Sequence, residues 1–530
     1  MNKSGFRTFC IILFAGFGCL FVVRGAGSYW NAKRTALLAE TPVPLTPRTA
    51  AQSGAGNRLA IGMNAAMAEA QFGVMYALNE CSSCPNQIYA FGVNEQTGAL
   101  TLLPGFPVAT GGKGQNAIFR RLVIDPINLR LFAFNKNSAS ATDSSTVSAF
   151  SINPTSGALT ALPFSPINLG GEYSCIGVHP SGSPLVAGYG TSSTNPGRIE
   201  SFQITTNAAT LVSGPLDTGS ARPLLITFSP DGRYVYAGGN GGGSIAGFNV
   251  NPGSGVLSGL AGSPFSTVDF YQGGFAFDSI GRLFTWSRHN ISPPAIVPRL
   301  RVFTPNNGGL SPVPGNPFSS GLSGYFDDAL VHPGFFYIVA AETEGVGVYK
   351  IEGLTSNPSL NPALGSPFVI SGMNASGLAL NGSGNLLFVA NYSSRNITTL
   401  NINAATGALS LLANQPANTV GTTGNISSVA YFQLTCPTIT LAPTTLPGGA
   451  VGSGYSQTVA ASPAGSYTYS VSAGTLPAGL TLNSATGAIT GTLNSAGTSG
   501  FTIRATNGNG CTGEQSYTLT AGCPTVTLSP

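Results

Sequence analysis

The sequence predicts an all-β protein: a seven-bladed β-propeller followed by a smaller β-sandwich. Three observations carry this. A hairpin-like segment recurs seven times at a period of about 50 residues. Charged residues make up only 8% of the chain, while glycine supplies 71 of its 530 residues, which is a composition of short strands and many turns. After Cys436 the repeat stops and a different strand pattern begins.

Each copy of the repeat reads as strand, turn, strand. In IAGFNVNPGSGVLSGLAGSPFST, Ile245 to Thr267, apolar residues alternate and Asn-Pro-Gly-Ser-Gly reverses the chain. A second short strand then leads to a Gly-Ser-Pro-Phe exit. The anchors of the seven copies are Phe91, Phe150, Phe202, Phe248, Phe303, Tyr349 and Leu400, spaced 59, 52, 46, 55, 46 and 51 residues apart. Another strand pair lies between successive copies. It is clearest in LLITFSPDGRYVYAGGN, Leu224 to Asn240, and GLALNGSGNLLFVANYS, Gly377 to Ser393. Two hairpins per period make a four-stranded antiparallel blade, and seven blades close around a central channel. The first copy is preceded by a single strand, Phe72 to Leu78, and the last is followed by an orphan strand, Ile426 to Leu434. These two are expected to pair, so that one blade draws on both ends of the propeller and the ring has no open edge.

YVYAGGN at Tyr234–Asn240 and LLFVANY at Leu386–Tyr392 resemble the YVTN-type β-propeller repeat. The hairpin pattern NPxSGxL with GSPF is similar to that of the lactonase-like seven-bladed family, which includes propeller-type 6-phosphogluconolactonases. The resemblance covers about Phe72 to Leu434 and implies the fold, because the shared residues belong to turns and strands. It also implies an Arg-His pair shortly before the SPDG-type turn of an active lactonase. Leu224 and Leu225 hold those places here, and Arg222 lies two residues earlier.

From Cys436 onward, CPTITLAP, LPAGLTLNSATGAITGTL and FTIRATNGNGCTGEQSYTLT read as short strands without the propeller hairpin. This segment resembles the immunoglobulin-like repeats of large bacterial surface proteins, which implies an immunoglobulin-like β-sandwich. CPTVTLSP at Cys523–Pro530 repeats the opening CPTITLAP, so residues 523–530 are expected to begin a further copy. The expected order is therefore an export signal over 1–27, a linker over 28–71, the propeller over 72–434 and the immunoglobulin-like sandwich over 436–522.

At the N-terminus, Lys3 and Arg7 precede the apolar run Phe9 to Val23, with small residues at Gly25, Ala26 and Gly27. That is the pattern of a signal peptide, with a retained anchor as the alternative. An exported, secreted or surface location permits disulfides. Cys436 is expected to pair with Cys511, the rival being Cys511 with Cys523. The CSSC at Cys81–Cys84 has no βαβ setting and reads as a loop disulfide or two idle thiols. The formal charge of +4 is small for this length and leaves no nucleic-acid footprint. The only expected route to a membrane is an N-terminal anchor.

The chemistry-bearing residues are few. Of three histidines, His179 and His332 occupy the turn position that SPDG fills elsewhere, and His289 follows a strand. No two have ligand spacing, so neither a metal nor another cofactor is expected. The channel is the default ligand site, because loops from every blade converge there. Charges are scarce, so those just ahead of the innermost strands stand out: Arg120 and Arg121, Glu172, Arg222, and Asp327 with Asp328. Tyr173 and Gln272 add hydrogen-bonding groups. Guanidinium groups there suit an anionic or carbohydrate-like ligand; the same charges equally fit inter-blade ion pairs. Two functions follow as expectations. One is an exported or cell-surface binding or scaffold module for adhesion or matrix assembly, which would engage such a ligand or another surface protein. The other is a lactonase-like hydrolase, with Glu172 or Asp328 as general base and Arg120 or Arg222 stabilising the oxyanion.

Overall fold

The computed structural model describes residues 71–523 other than 82–83, 115–120, 137–143, 191–196, 220–221, 241–242, 268–270, 290–296, 321–325, 333, 341–344, 354–358, 371, 373, 413–423 and 509. Every regular element among them is a strand. The innermost strands of blades one to six are Leu122–Asp125, Tyr173–Val178, Arg222–Phe228, Tyr271–Phe277, Phe326–His332 and Ala375–Leu380. Blade three shows the plan. Arg222–Phe228, Tyr234–Asn240, Ser244–Val250 and Leu257–Gly259 pair antiparallel in chain order.

Blade seven closes the ring. Its innermost strand, Asn425–Gln433, pairs antiparallel with Gln71–Glu80, with Val74 opposite Phe432 and Ala77 opposite Val429. Gln71–Glu80 pairs in turn with Pro85–Asn94, so the end of the propeller sequence completes the sheet that its beginning leaves open. Apolar faces of neighbouring blades form the core. Tyr236, Phe275, Phe284, Trp286, Phe303 and Phe336, from blades three to five, lie in one cluster, each at most 2% exposed. Each such side chain contributes roughly 1.5–3 kcal/mol by leaving water.

The repeat's turn residues have specific tasks. Asn153 Oδ1 accepts from the backbone N–H groups of Thr155 and Ser156, and Asn251 Oδ1 from those of Gly253 and Ser254, each at 3.0 Å. The following Gly157 and Gly255 take φ of +71° and +72°, a region that glycine enters without steric cost. The same turn recurs at Asn94–Gly98 and Asn403–Gly407, and in the sandwich at Asn483–Gly487. It also joins blades: Tyr76 donates its hydroxyl to Gly157 O at 2.6 Å, and Ser201 donates to Gly255 O at 2.5 Å. The residue before proline in the exit segment tethers the third strand. Ser165, Ser263 and Ser366 accept from the N–H groups of Ala149, Gly247 and Val348 at 2.9 Å.

In the C-terminal domain, Tyr467–Gly474, Gly497–Asn507 and Thr512–Gly522 form one antiparallel sheet. Gly454–Thr458, Ala488–Thr492 and Leu480–Leu482 form a second. Buried Ile489, Ile503, Val459 and Leu519 belong to their shared core. Burial alternates along Thr512–Gly522 as the two-residue period requires. Cys436 and Cys511 are disulfide-bonded, with Cα atoms 5.4 Å apart and a sequence separation of 75. Cys523 is an exposed free thiol.

Candidate functional site at the channel mouth

Antiparallel pairing brings the start of each innermost strand beside the end of the second strand: Arg222 lies opposite Asn240, Tyr173 opposite Tyr189, and Asn425 opposite Glu80. One face of the ring is therefore built from these two sets of residues. The turns between the same strands, such as SPDG, lie on the other face. Near its start, each innermost strand of blades two to seven carries a register shift, which re-aims side chains there.

Several re-aimed side chains stitch one innermost strand to the next. Ser174 donates to Pro223 O at 2.5 Å and Ser376 to Ile426 O at 2.9 Å. Ser428 Oγ accepts from the N–H groups of Arg121 and Leu122 at 3.4 Å. Asp328 is 2% exposed, and its Oδ2 accepts from Leu378 N at 3.0 Å while Oδ1 accepts from Ala329 N at 2.8 Å. Asp328 thus joins blades five and six. Its neighbour Asp327 is half-buried, and among the described residues it makes no hydrogen bond. Burial, reinforced by the Asp328 charge, pushes its carboxyl up to about 7.

The basic residues gather around blades seven, one and three. Arg121 is 1% exposed, and its Nη1 lies 2.6 Å from Glu80 Oε1, a carboxylate that is itself fully buried. The guanidinium stands 5.4 Å from the centre of the Phe134 ring. Lys136 follows the second strand of blade one and is half-buried. Burial, then Arg222 and Arg121, hold its ammonium below the usual lysine range, and Glu172 and Glu80 oppose that shift. Arg222 is half-buried, and its Nε is buried without a hydrogen-bond partner. Glu172 is exposed at the rim. The Cys81–Cys84 disulfide directly follows Glu80.

The other expected site residues are placed as follows. Tyr173 is buried, and its hydroxyl donates to Glu200; burial first, then that bond, raise its pKa strongly. Gln272 is fully buried and donates from Nε2 to Thr267 Oγ1 at 2.5 Å. Arg120 lies outside the described residues, as does the side chain of His289. Leu224 and Leu225 are 2% and 4% exposed and belong to the core. His179 is on the opposite face, where its Nε2 meets Gly232 O of blade three at 2.9 Å. His332 lies against Gly384 of blade six, close enough that a Cβ there would come within 2.3 Å of Nε2. Arg121, Asp328, Tyr173 and Gln272 thus sit in buried contacts, whereas Arg222 is half-buried and Glu172 exposed. Glu80 and Lys136 were not among the expected residues. Their signal is the charge that follows each second strand in YALNE and FAFNK.

Residues 437–522 match the family described as "Putative Ig domain". Three solved structures resemble the propeller. A protein described as a "putative 6-phosphogluconolactonase" from Bacteroides uniformis is 16% identical with a TM-score of 0.53; the match covers 68% of this chain and 99% of that one. A protein of the same description from Bacteroides fragilis is 19% identical with a TM-score of 0.52, covering 70% and 100%. A periplasmic gluconolactonase from Pseudomonas aeruginosa is 15% identical with a TM-score of 0.51, covering 68% and 100%. The propeller has the 6-phosphogluconolactonase-like fold. No curated protein matches the sequence. At these identities the likeness concerns the fold alone, and the chemistry rests on the residues at the mouth.

Proposed function

We propose that the chain is an exported binding module. Its propeller takes an anionic, carbohydrate-like ligand at the channel mouth, and its immunoglobulin-like domain serves as a stalk in adhesion or matrix assembly. The observation that carries this reading is the charge balance at the mouth. Arg121 is matched by Glu80, whereas Lys136 and Arg222 form no ion pair among the described residues. A ligand carboxylate meeting the Arg222 fork would gain a charge-assisted hydrogen bond. The apolar run Phe9 to Val23 supports export. So do the two disulfides, which persist in oxidising compartments.

The test is calorimetric titration of the full chain with polygalacturonate, using neutral dextran as control. Binding to polygalacturonate alone is expected, weakened about tenfold in Arg222→Ala, in line with the loss of one charge-assisted hydrogen bond. Equal binding of both polymers, or an unaffected Arg222→Ala, contradicts the reading. A lactonase reading draws on the fold, but apolar Leu224 and Leu225 stand where an Arg-His pair would act. Turnover of gluconolactone by the purified chain, abolished by Arg222→Ala, would favour the hydrolase instead.

A further inference from the structure

The Cys81–Cys84 disulfide lies at the channel mouth, between the end of Gln71–Glu80 and the start of Pro85–Asn94 in blade seven. Its sequence separation is only three, so it constrains the unfolded chain far less than the Cys436–Cys511 bond with a separation of 75. The two cysteines are not equivalent. Cys81 is 6% exposed, whereas Cys84 is half-buried and precedes exposed Pro85. The Cys84 N–H donates to Cys81 Sγ at 3.0 Å. The backbone of Cys81 is fixed on both sides. Its N–H donates to Asn86 Oδ1 at 2.9 Å, and its carbonyl accepts from Gly114 N at 2.9 Å. Asn86 is fully buried and donates to Asn135 Oδ1 at 3.1 Å, an oxygen that also accepts from Thr110 Oγ1 at 2.8 Å. The carboxylate of the adjoining Glu80 is neutralised by Arg121 at 2.6 Å. In the Cys436–Cys511 bond, by contrast, the Cys511 N–H turns to Asn507 Oδ1 at 2.9 Å.

We infer that the Cys81–Cys84 bond is an exchangeable disulfide that oxidises peptide dithiols at the mouth, with Cys84 as the sulfur attacked and Cys81 as the sulfur that leaves. This activity goes beyond ligand binding and does not depend on it. A substrate thiolate attacks Cys84 Sγ, the more accessible of the pair. A substrate–Cys84 S–S bond forms, the Cys81–Cys84 bond breaks, and its electron pair stays on Cys81 Sγ. The Cys84 N–H already aimed at that sulfur stabilises the departing thiolate, and a better leaving group speeds exchange. The neutralised Glu80 leaves no bare carboxylate beside the new charge in sequence. The second substrate thiolate then attacks the substrate sulfur of the mixed disulfide and expels Cys84. The substrate ends as a disulfide, and its two protons pass to Cys81 and Cys84. The protein disulfide is the oxidant, and no other is required. Because Asn86 and Gly114 hold the backbone of Cys81 without the S–S bond, the opened form keeps the fold.

The experiment is thiol exchange on the natively folded full chain near neutral pH. The exposed thiol of Cys523 is first blocked with iodoacetamide. Glutathione is then added, the reaction is quenched with acid, new thiols are capped with N-ethylmaleimide, and the peptides are mapped. Cys81–Cys84 is expected to open roughly tenfold faster than Cys436–Cys511, with glutathione on Cys84 and maleimide on Cys81. A synthetic peptide with two cysteines, given in place of glutathione, should yield one peptide disulfide per chain and leave Cys436–Cys511 closed. Cys81→Ala combined with Cys84→Ala should abolish that yield and leave the propeller's melting temperature unchanged. Equal opening of the two disulfides, glutathione carried on Cys81, or opening only after the propeller has melted overturns the inference. So does a large fall in melting temperature in the double variant, which would make the bond a structural one. Binding of polygalacturonate is a separate readout, so the loss of either activity leaves the other standing.

Discussion

Glu80 and Arg121 form an ion pair in which neither side chain is more than 1% exposed. A buried pair of this kind contributes little over a well-packed apolar pair, but removing one partner strands the other charge. Glu80→Ala should therefore destabilise the propeller by about 3–5 kcal/mol, while Glu80→Leu combined with Arg121→Met should recover most of that loss. Chemical denaturation of the two variants checks this. Asp327 makes the opposite kind of statement. Burial pushes its folded carboxyl up to about 7, above the ordinary carboxyl value of 3.8, so the folded state holds more protons than the unfolded one between those values. Stability then falls as pH rises from about 4 to 7, and the penalty is constant above that. Asp327→Asn should flatten this slope and melt at a higher temperature than the parent at pH 8. The gain should be ~1 kcal/mol or more, since one pKa unit corresponds to about 1.4 kcal/mol.

At the scale of the element, the recurring Asn-x-x-Ser/Thr-Gly turn governs both the hairpin and its packing. Asn251 caps two N–H groups, and the carbonyl of Gly255 receives the Ser201 hydroxyl from the preceding blade. Asn251→Ala should cost about 1 kcal/mol, as the loss of a local cap does. Gly255→Ala should cost more. It places a β-carbon on a backbone with φ of +72° and within 3.1 Å of Val212 Cγ2. Thermal melts of the pair of variants test that ranking, and an equal or smaller loss in Gly255→Ala would contradict it. In the sandwich, the Cys436–Cys511 bond closes a 75-residue span, worth roughly 4 kcal/mol in the chain-entropy model. Cys436→Ala with Cys511→Ala should lower the melting transition of that domain and leave the propeller transition in place, which calorimetry resolves.

Across the whole molecule, ring closure between Asn425–Gln433 and Gln71–Glu80 was legible from strand counting, because one strand was missing at one end and one was spare at the other. The mouth was legible in part. Arg222 and Tyr173 were found because charged and hydrogen-bonding groups are scarce at the starts of innermost strands. Glu80 and Lys136 were not, because they end second strands and reach the mouth only through antiparallel pairing. The roles of Asp327 and Asp328 could not be separated in sequence. The register shift between Phe326 and Ala329 breaks the alternation that would assign their faces. Truncation before Asn425 would remove the innermost strand of blade seven, and the propeller should then melt at a lower temperature. Recognition at the channel mouth is tested most directly by a crystal structure of the full chain with an acidic oligosaccharide bound. The ligand is expected at the channel mouth, with a carboxylate on Arg222 and its chain passing Lys136. A ligand seated on the outer rim or on the SPDG-turn face, touching neither residue, would contradict it.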